Sequence, residues 1–295
     1  MVAAFLITLR EGLEAALIVG IVLSVLRRLG RPGRRRTVWL GVAAAVAVSI
    51  AAGVLLNALG VAFEGRGEEI FEGIAMLVAA GVLTWMIFWM RRQGSGMRAE
   101  LESGVTQAVT EDRGWALFSL AFIAVVREGI ETALFLTAAA FSAAPGQTLL
   151  GGALGLAASA GLGWALFSAG RQLNVRAFFR FTSGLLLLFA AGLVAYGAHE
   201  LQEAGLLPVI VEHVYDINTL VDEQTGAGVL LKALFGYNGN PSLLEVILYV
   251  AYLGGVGFLG LRASGDPALL RRIGEQRSRA AQTEVGGGGL RRRGT

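Results

Sequence analysis

The sequence predicts an all-α, polytopic membrane protein with seven transmembrane helices. Three observations carry that prediction. The 295 residues are 55% hydrophobic and only 16% charged, where an ordinary soluble domain carries about a quarter charged residues. The charges gather in short stretches between long apolar runs. Seven of those runs reach the roughly 20 helical residues that a bilayer requires. Each must be helical, because lipid offers no partner to an open backbone.

The first run, about 2–26, resembles a secretory leader. It lacks a basic start, and Arg10, Glu11 and Glu14 interrupt it, so it reads as a retained span. The second, about 37–60, follows Arg27, Arg28, Arg31, Arg34, Arg35 and Arg36. The third, about 70–90, follows a connection with Glu64, Glu68 and Glu69 against Arg66. Arg91, Arg92, Arg98 and Arg113 precede the fourth, about 115–141. An uncharged connection, 142–147, leads to the fifth, about 148–169. Arg171 and Arg176 precede the sixth, about 179–203, with Arg180 just inside it. The seventh, about 242–262, follows an acidic connection holding Glu212, Asp216, Asp222 and Glu223 against Lys232. The remainder, 263–295, is a basic tail, partly disordered by composition from about Ser278.

These connections alternate in charge. All but four of the 25 basic residues fall on one side. Arg66 and Lys232 fall on the other, and Arg10 and Arg127 lie within spans. Cytoplasmic loops concentrate lysine and arginine, so the N-terminus is expected outside and the C-terminus in the cytoplasm. The pI near 9.7 would also suit nucleic acid or anionic lipid. The alternation favours a topological role, and no nucleic-acid partner is expected. There are no cysteines, which excludes disulfides, thiolate metal sites and thiol catalysis. No phosphate-cradling Gly-x-x-x-x-Gly-Lys-Ser/Thr loop is present, so the chain itself does not hydrolyse ATP through one.

Spans one and four share a motif. Arg10-Glu11-Gly12-Leu13-Glu14 aligns with Arg127-Glu128-Gly129-Ile130-Glu131. Spans three and six echo one another more weakly, Gly73, Leu77 and Gly81 aligning with Gly184, Leu188 and Gly192. Residues 1–90 and 115–203 therefore read as two three-helix units, with one extra helix after them. An odd number of spans per unit makes the repeat inverted, with both motifs near the midplane where such repeats meet. The expected motion is rocking or gating of one unit against the other.

A charge at the centre of a span costs roughly 2.5–3.5 kcal/mol, so the six here cost on the order of 15 kcal/mol before pairing. Helical spacing names their partners. Glu11 and Glu14 share one face, as do Glu128 and Glu131, and each arginine reaches the glutamate four residues on. Four carboxylates against two guanidiniums leave two surplus negative charges, which a hard multivalent cation would neutralise. Gly12 and Gly129 leave room for close helix approach. Internal ion pairs that only hold helices together, and a proton relay, are the other readings.

A second cluster sits at the outer end of span six: His199, Glu200 and Glu203. Glu68, Glu69 and Glu72 open span three, and Glu245 opens span seven, on the same face. Each set alone reads as a solvated helix end. Together they would form an outer vestibule that concentrates cations. A metalloenzyme using His199, Glu200 and Glu203 is a separate reading, although His-Glu-x-x-Glu is not the zincin motif. Gly151, Gly155 and Gly161 suggest close helix contact. Trp85, Trp89 and Trp115 sit where interfacial anchors do.

The paired Arg-Glu-x-x-Glu motifs resemble the oxidase-dependent iron permease family of fungi and bacteria. His199-Glu200-Leu201-Gln202-Glu203-Ala204-Gly205 and Phe235-Gly236-Tyr237-Asn238-Gly239-Asn240-Pro241-Ser242 are also similar to bacterial members, so the resemblance covers about 1–262. It implies a permease, not an enzyme, in the cytoplasmic membrane. Ferric iron would be the transported ion, with no resident cofactor. Glu11, Glu14, Glu128 and Glu131 would be iron ligands held in place by Arg10 and Arg127. Extracytoplasmic iron-binding or iron-oxidising proteins would deliver the iron; in bacterial operons these are a periplasmic iron-binding protein and a haem peroxidase. A permease for a divalent metal, ferrous iron or lead, through the same site is the alternative. Oligomeric state is left open.

Overall fold

The computed structural model describes residues 1–93, 97–111, 113–141, 145–168, 174–218, 221, 228, 231, 232 and 235–264. The described residues form helices and connecting turns without a strand. They are α1 (Val2–Arg28), α2 (Arg35–Ala62), α3 (Arg66–Gln93), α4 (Met97–Thr110), α5 (Gly114–Phe141), α6 (Pro145–Ser168), α7 (Val175–Glu203) and α8 (Leu243–Ser264). A short 3-10 turn, Pro32–Arg34, precedes α2. Two compact units divide the chain, Met1–Val250 and Ala251–Thr295. The second is described only as the continuation of α8, so the expected basic tail lies outside the described residues from 265 onward. Asp222, Glu223 and Arg171 also lie outside them.

Five helical segments are long and apolar enough to cross a membrane: Pro32–Ala62, Arg66–Met90, Gly146–Phe167, Ala177–Glu203 and Leu243–Gly260. The sequence reading counted seven. The other two, α1 and α5, are 27 and 28 residues long. They are too charged to qualify on composition, and Arg10, Glu11, Glu14, Arg127, Glu128 and Glu131 are among the charges responsible. Helix α4 is an addition to the predicted set. It is too short to span and packs Val105 and Ala108 against Val22, Val25 and Leu26 of α1, Val38 of α2 and Leu117 of α5. That cluster lies where the arginine-bearing ends of α1 and α2 meet the start of α5.

The principal packing runs between the two motif-bearing halves. Helix α1 lies parallel to α6. A side chain at Gly151 would strike the Met1 carbonyl, one at Gly155 would strike Thr8, one at Gly12 would strike Ser159, and one at Gly20 would strike Phe167. Small residues at spacing four, Gly151, Gly155, Ser159 and Gly163, let the backbones approach. Gly161, expected at a contact, has nothing near it. Helix α5 lies parallel to α2 in the matching way. Gly41 abuts Phe118, Ala45 packs with Val125, and Gly129 abuts Ser49. Helices α3 and α7 form the third pair, with Gly73 and Gly197 facing each other's carbonyl oxygens at about the same closeness, 2.9 and 3.0 Å from an added Cβ. Each of the two motif glycines thus meets a serine of a helix from the other half.

The connection before α8 is more than a surface loop. Gly236, at φ 63°, lies against the backbone of Gly192 in α7. Gly192 is 11 residues before the end of α7 at Glu203, about 16 Å along a helix. The Tyr196 hydroxyl donates to the Tyr237 carbonyl at 2.9 Å, and Gly236 and Tyr237 close a helical turn on Lys232 and Leu231. Such backbone is stable at depth only when protein surrounds it. Pro241-Ser242 then enters α8 through a reciprocal cap: the Ser242 amide donates to Glu245 and the Glu245 amide to the Ser242 hydroxyl.

Large apolar side chains remain on the outside, among them Trp39, Ile50, Val54 and Leu55 of α2 and Leu149, Leu154 and Trp164 of α6. A continuous surface of this kind needs a lipid or protein cover. For Gly192→Ala we expect overpacking against Gly236, whose Cα would lie 2.5 Å from the new methyl. The cost is about 1–3 kcal/mol, read as a lower unfolding midpoint in detergent. Gly161→Ala, whose new methyl meets nothing within 4 Å, does not lower the midpoint.

Candidate metal centre

The motifs on α1 and α5 meet in the interior. One carboxylate oxygen each from Glu11, Glu128 and Glu131 lies within 4.8 Å of the others, and all three residues are buried. Glu14, the fourth expected ligand, is also buried and lies within electrostatic reach of Glu128 and Glu131. The three-carboxylate group does not include it; it is held toward Arg10 instead.

The arginines are placed largely as their spacing predicts. Arg127 Nε donates to Glu131 Oε1 at 3.0 Å. Arg10 Nη2 lies 3.2 Å from Glu14 Oε1. Arg10 Nη1 also donates to its sequence neighbour, Glu11 Oε1, at 2.9 Å. Residues i and i+1 do not share a helix face, and the length of the arginine side chain makes the pair possible. The two halves differ in exposure: the Arg10 side chain is fully buried, while that of Arg127 is 35% exposed.

Carboxylate capacity is left over. Glu11 Oε2, Glu128 Oε2 and Glu131 Oε2 are buried without a hydrogen-bond partner, while Glu14 Oε1 has only the ion pair with Arg10 at 3.2 Å. Buried polar atoms in native proteins are nearly always satisfied. Three unpartnered oxygens beside a fourth carboxylate, with formal charge −4 against +2 over the six side chains, are a donor set for a hard cation. The residues fit such an ion on charge and chemistry together.

Helix α3 supplies partners that the sequence reading did not assign. Arg10 Nη1 lies 3.5 Å from Met86 Sδ, and Nη2 lies 2.9 Å from Met90 Sδ. The Arg127 guanidinium carbon lies 4.4 Å from the centre of the Trp89 ring. Trp89 is therefore more than an interfacial anchor, whereas Trp85 and Trp115 are exposed as anchors are. Residues 86, 89 and 90 share one helix face, but nothing in the sequence pairs that face with the arginines.

The outer cluster forms in part. Glu68 and Glu69 open α3. Glu72 lies within electrostatic reach of Glu68 and Glu200, and Glu200 within reach of Glu69 and Glu203. The Gly73–Gly197 contact brings the two helix ends together. His199 is committed differently. Its Nδ1 is 3.1 Å from Glu245 Oε1 and its Nε2 is 3.3 Å from Glu203 Oε1. Glu245 is 2% exposed and also accepts from Asn238 Nδ2 and the Ser242 amide. His199 thus ties α7 to the loop and to the start of α8.

Comparison with known proteins decides the family. The description "Iron permease FTR1 family" matches residues 1–264. The chain belongs to that family. It is 39% identical over 255 residues to "Ferrous iron permease EfeU" of Escherichia coli O6:K15:H31 (strain 536 / UPEC), covering 86% of this chain and 92% of the relative. It is 37% identical to the protein of that description from Yersinia pestis, covering 86% and 90%. A relative from Escherichia coli (strain K12), equally similar at 39%, is described as "Putative inactive ferrous iron permease EfeU". No solved structure matches the chain. As an iron permease family member with several membrane-spanning helices, the protein is a multi-pass protein of the cytoplasmic membrane.

Removing one charge of a buried cluster exposes the remainder. We expect Arg10→Ala to destabilise the fold by about 3–5 kcal/mol, since it leaves Glu11 and Glu14 without their counter-ion. The same change at Arg127, which is partly open to solvent, costs less. Unfolding midpoints in detergent rank the two, and equal losses would contradict the difference in burial.

Proposed function

We propose that the chain carries iron across the cytoplasmic membrane through the cluster of Glu11, Glu14, Glu128 and Glu131. The observation that carries this reading is the set of unpartnered, buried carboxylate oxygens on two adjacent helices. Arg10 and Arg127 hold those carboxylates and lower the cost of burying them. The glutamates supply the ligands, and the outer ends of α3 and α7 form an acidic mouth facing the extracytoplasmic side. There an iron-binding or iron-oxidising protein would deliver the ion.

Seven spans, with α1 and α5 crossing beside the apolar helices, complete the picture. The matched pairs α1–α6 and α2–α5 support an inverted repeat. In that arrangement Glu11 and Glu128 approach from helices of opposite direction, as midplane sites between inverted repeats do.

Ferrous iron suits the cluster on charge, because two surplus negative charges balance a divalent ion. The printed names of the E. coli and Y. pestis relatives are those of ferrous permeases. Ferric iron is the second reading, favoured by an all-oxygen, hard donor set.

Uptake into proteoliposomes tests the proposal, with iron(II) under ascorbate and ferric citrate supplied separately. Glu14→Gln combined with Glu131→Gln should abolish uptake that the wild type shows. Retained uptake in the double variant would refute the carboxylate site, and the form taken up decides the oxidation state. Topology has its own test, since the chain has no cysteine. A cysteine from Gly33→Cys should react with an impermeant maleimide only from the cytoplasmic side, and one from Glu64→Cys only from outside. Reaction from the same side would overturn the seven-span arrangement.

A further inference from the structure

We propose that Met86, Trp89 and Met90 of α3 form a latch that takes over the two motif arginines when a cation enters the carboxylate cluster. They are positioning residues, acting on the ion through Arg10 and Arg127. The inference rests on the glutamate cluster being the metal site.

Arg10 is shared between two sets of acceptors. Nη1 serves Glu11 Oε1 at 2.9 Å and Met86 Sδ at 3.5 Å. Nη2 serves Glu14 Oε1 at 3.2 Å and Met90 Sδ at 2.9 Å. The guanidinium is fully buried and Met86 is 1% exposed, so water does not reach the contact between them, and Met90 is half-buried. A metal ion that draws Glu11 and Glu14 to itself removes half of those acceptors. It also places a second positive charge beside the guanidinium. A buried guanidinium stripped of partners is costly, because it has five donors and cannot lose its proton. The thioethers are polarisable acceptors already at contact distance. Arg127 has the same alternative in another form: its guanidinium lies over the Trp89 ring, where a cation–π contact remains after Glu131 turns to the metal.

The latch belongs to α3 alone. The repeat alignment sets Met86, Trp89 and Met90 opposite Gly197, Glu200 and Leu201 of α7. None of those offers a sulfur or an aromatic ring. Both arginines, though they come from related helices, take their further partners from α3.

Direct binding of iron(II), under anaerobic conditions, to the full chain purified in detergent tests the latch. Four forms are compared: wild type, Glu131→Gln, the double variant Met86→Leu with Met90→Leu, and the double variant Met86→Gln with Met90→Gln. Leucine keeps the approximate volume and removes the acceptor; glutamine restores an acceptor at similar length. We expect the leucine pair to weaken binding by about tenfold, the scale of a lost hydrogen bond to a charged group, and the glutamine pair to stay close to wild type. If the leucine pair is not monodisperse, Met90→Leu and Met90→Gln give the same comparison singly. Wild-type affinity in the leucine forms would overturn the latch while leaving a Glu131-dependent metal site intact. Glutamine forms as weak as leucine would also overturn it, since packing alone would then explain the methionines. Binding indifferent to Glu131→Gln would overturn the metal site and the latch with it.

Discussion

Six ionisable side chains on two adjacent helices, all but Arg127 held away from water, set the terms for the rest of the fold. Arg10 and Glu11 are almost completely buried, and Glu14, Glu128 and Glu131 are each less than a tenth exposed. Isolated charges at such positions cost several kcal/mol each, and only close, well-aimed partners offset them. That requirement places α1 beside α5, directs both arginines inward, and recruits α3 as a third wall. It also explains why the two helices that bear the motifs look least like membrane spans on composition. The charges that disqualify them are largely the ones the surrounding helices enclose.

Close approach is the second constraint, and it follows from the first. Short side chains let the pairs come together: Gly12 on Ser159 and Gly129 on Ser49. These contacts cross between the two repeats. A rocking of residues 1–90 against 115–203 as rigid bodies would separate α1 from α6 and α5 from α2, the most extensive helix pairs among the described residues. Glycine-to-serine contacts at spacing four hold by dispersion over many atoms, which falls steeply with separation. Any alternation of access is therefore better divided along the pairs, α1 with α6 and α5 with α2, with the motifs at their junction.

Much of this was legible in the sequence. Hydropathy and charge placed the ends of the long helices to within a few residues, because apolar runs in such chains end at arginine or acidic clusters. The motif duplication grouped Glu11, Glu14, Glu128 and Glu131 before any geometry, of which the structure draws Glu11, Glu128 and Glu131 together and leaves Glu14 toward Arg10, and i, i+4 spacing gave both motif ion pairs. Three things were not legible. Helix α4 is short and half polar, and its burial against Leu26 and Leu117 depends on tertiary packing. Met86 and Met90 read as ordinary apolar residues, since nothing local shows that an arginine some eighty positions earlier will lie against them. The inward reach of Gly236 to Gly192 pairs two glycines far apart in sequence, and a glycine announces freedom without naming its neighbour. The Ser242–Glu245 cap, by contrast, was a readable signal.

The two halves of the structure differ most plainly at their third helices. Related by the repeat, α3 and α7 should present like surfaces to the motifs. Instead α3 offers sulfur and an indole ring toward its C-terminal half, where Arg10 and Arg127 lie against it. Its opposite end carries Glu68, Glu69 and Glu72, in electrostatic contact with Glu200 of α7. A cation thus meets carboxylates at one end of α3 and two guanidiniums backed by apolar side chains at the other. On the proposed reading, a field of that form would attract the ion as far as the central cluster and oppose its further passage. Passage beyond it then requires the arginines to move. On the proposed reading, the unlike third helix would make one side of the paired motifs an entrance and the other a barrier.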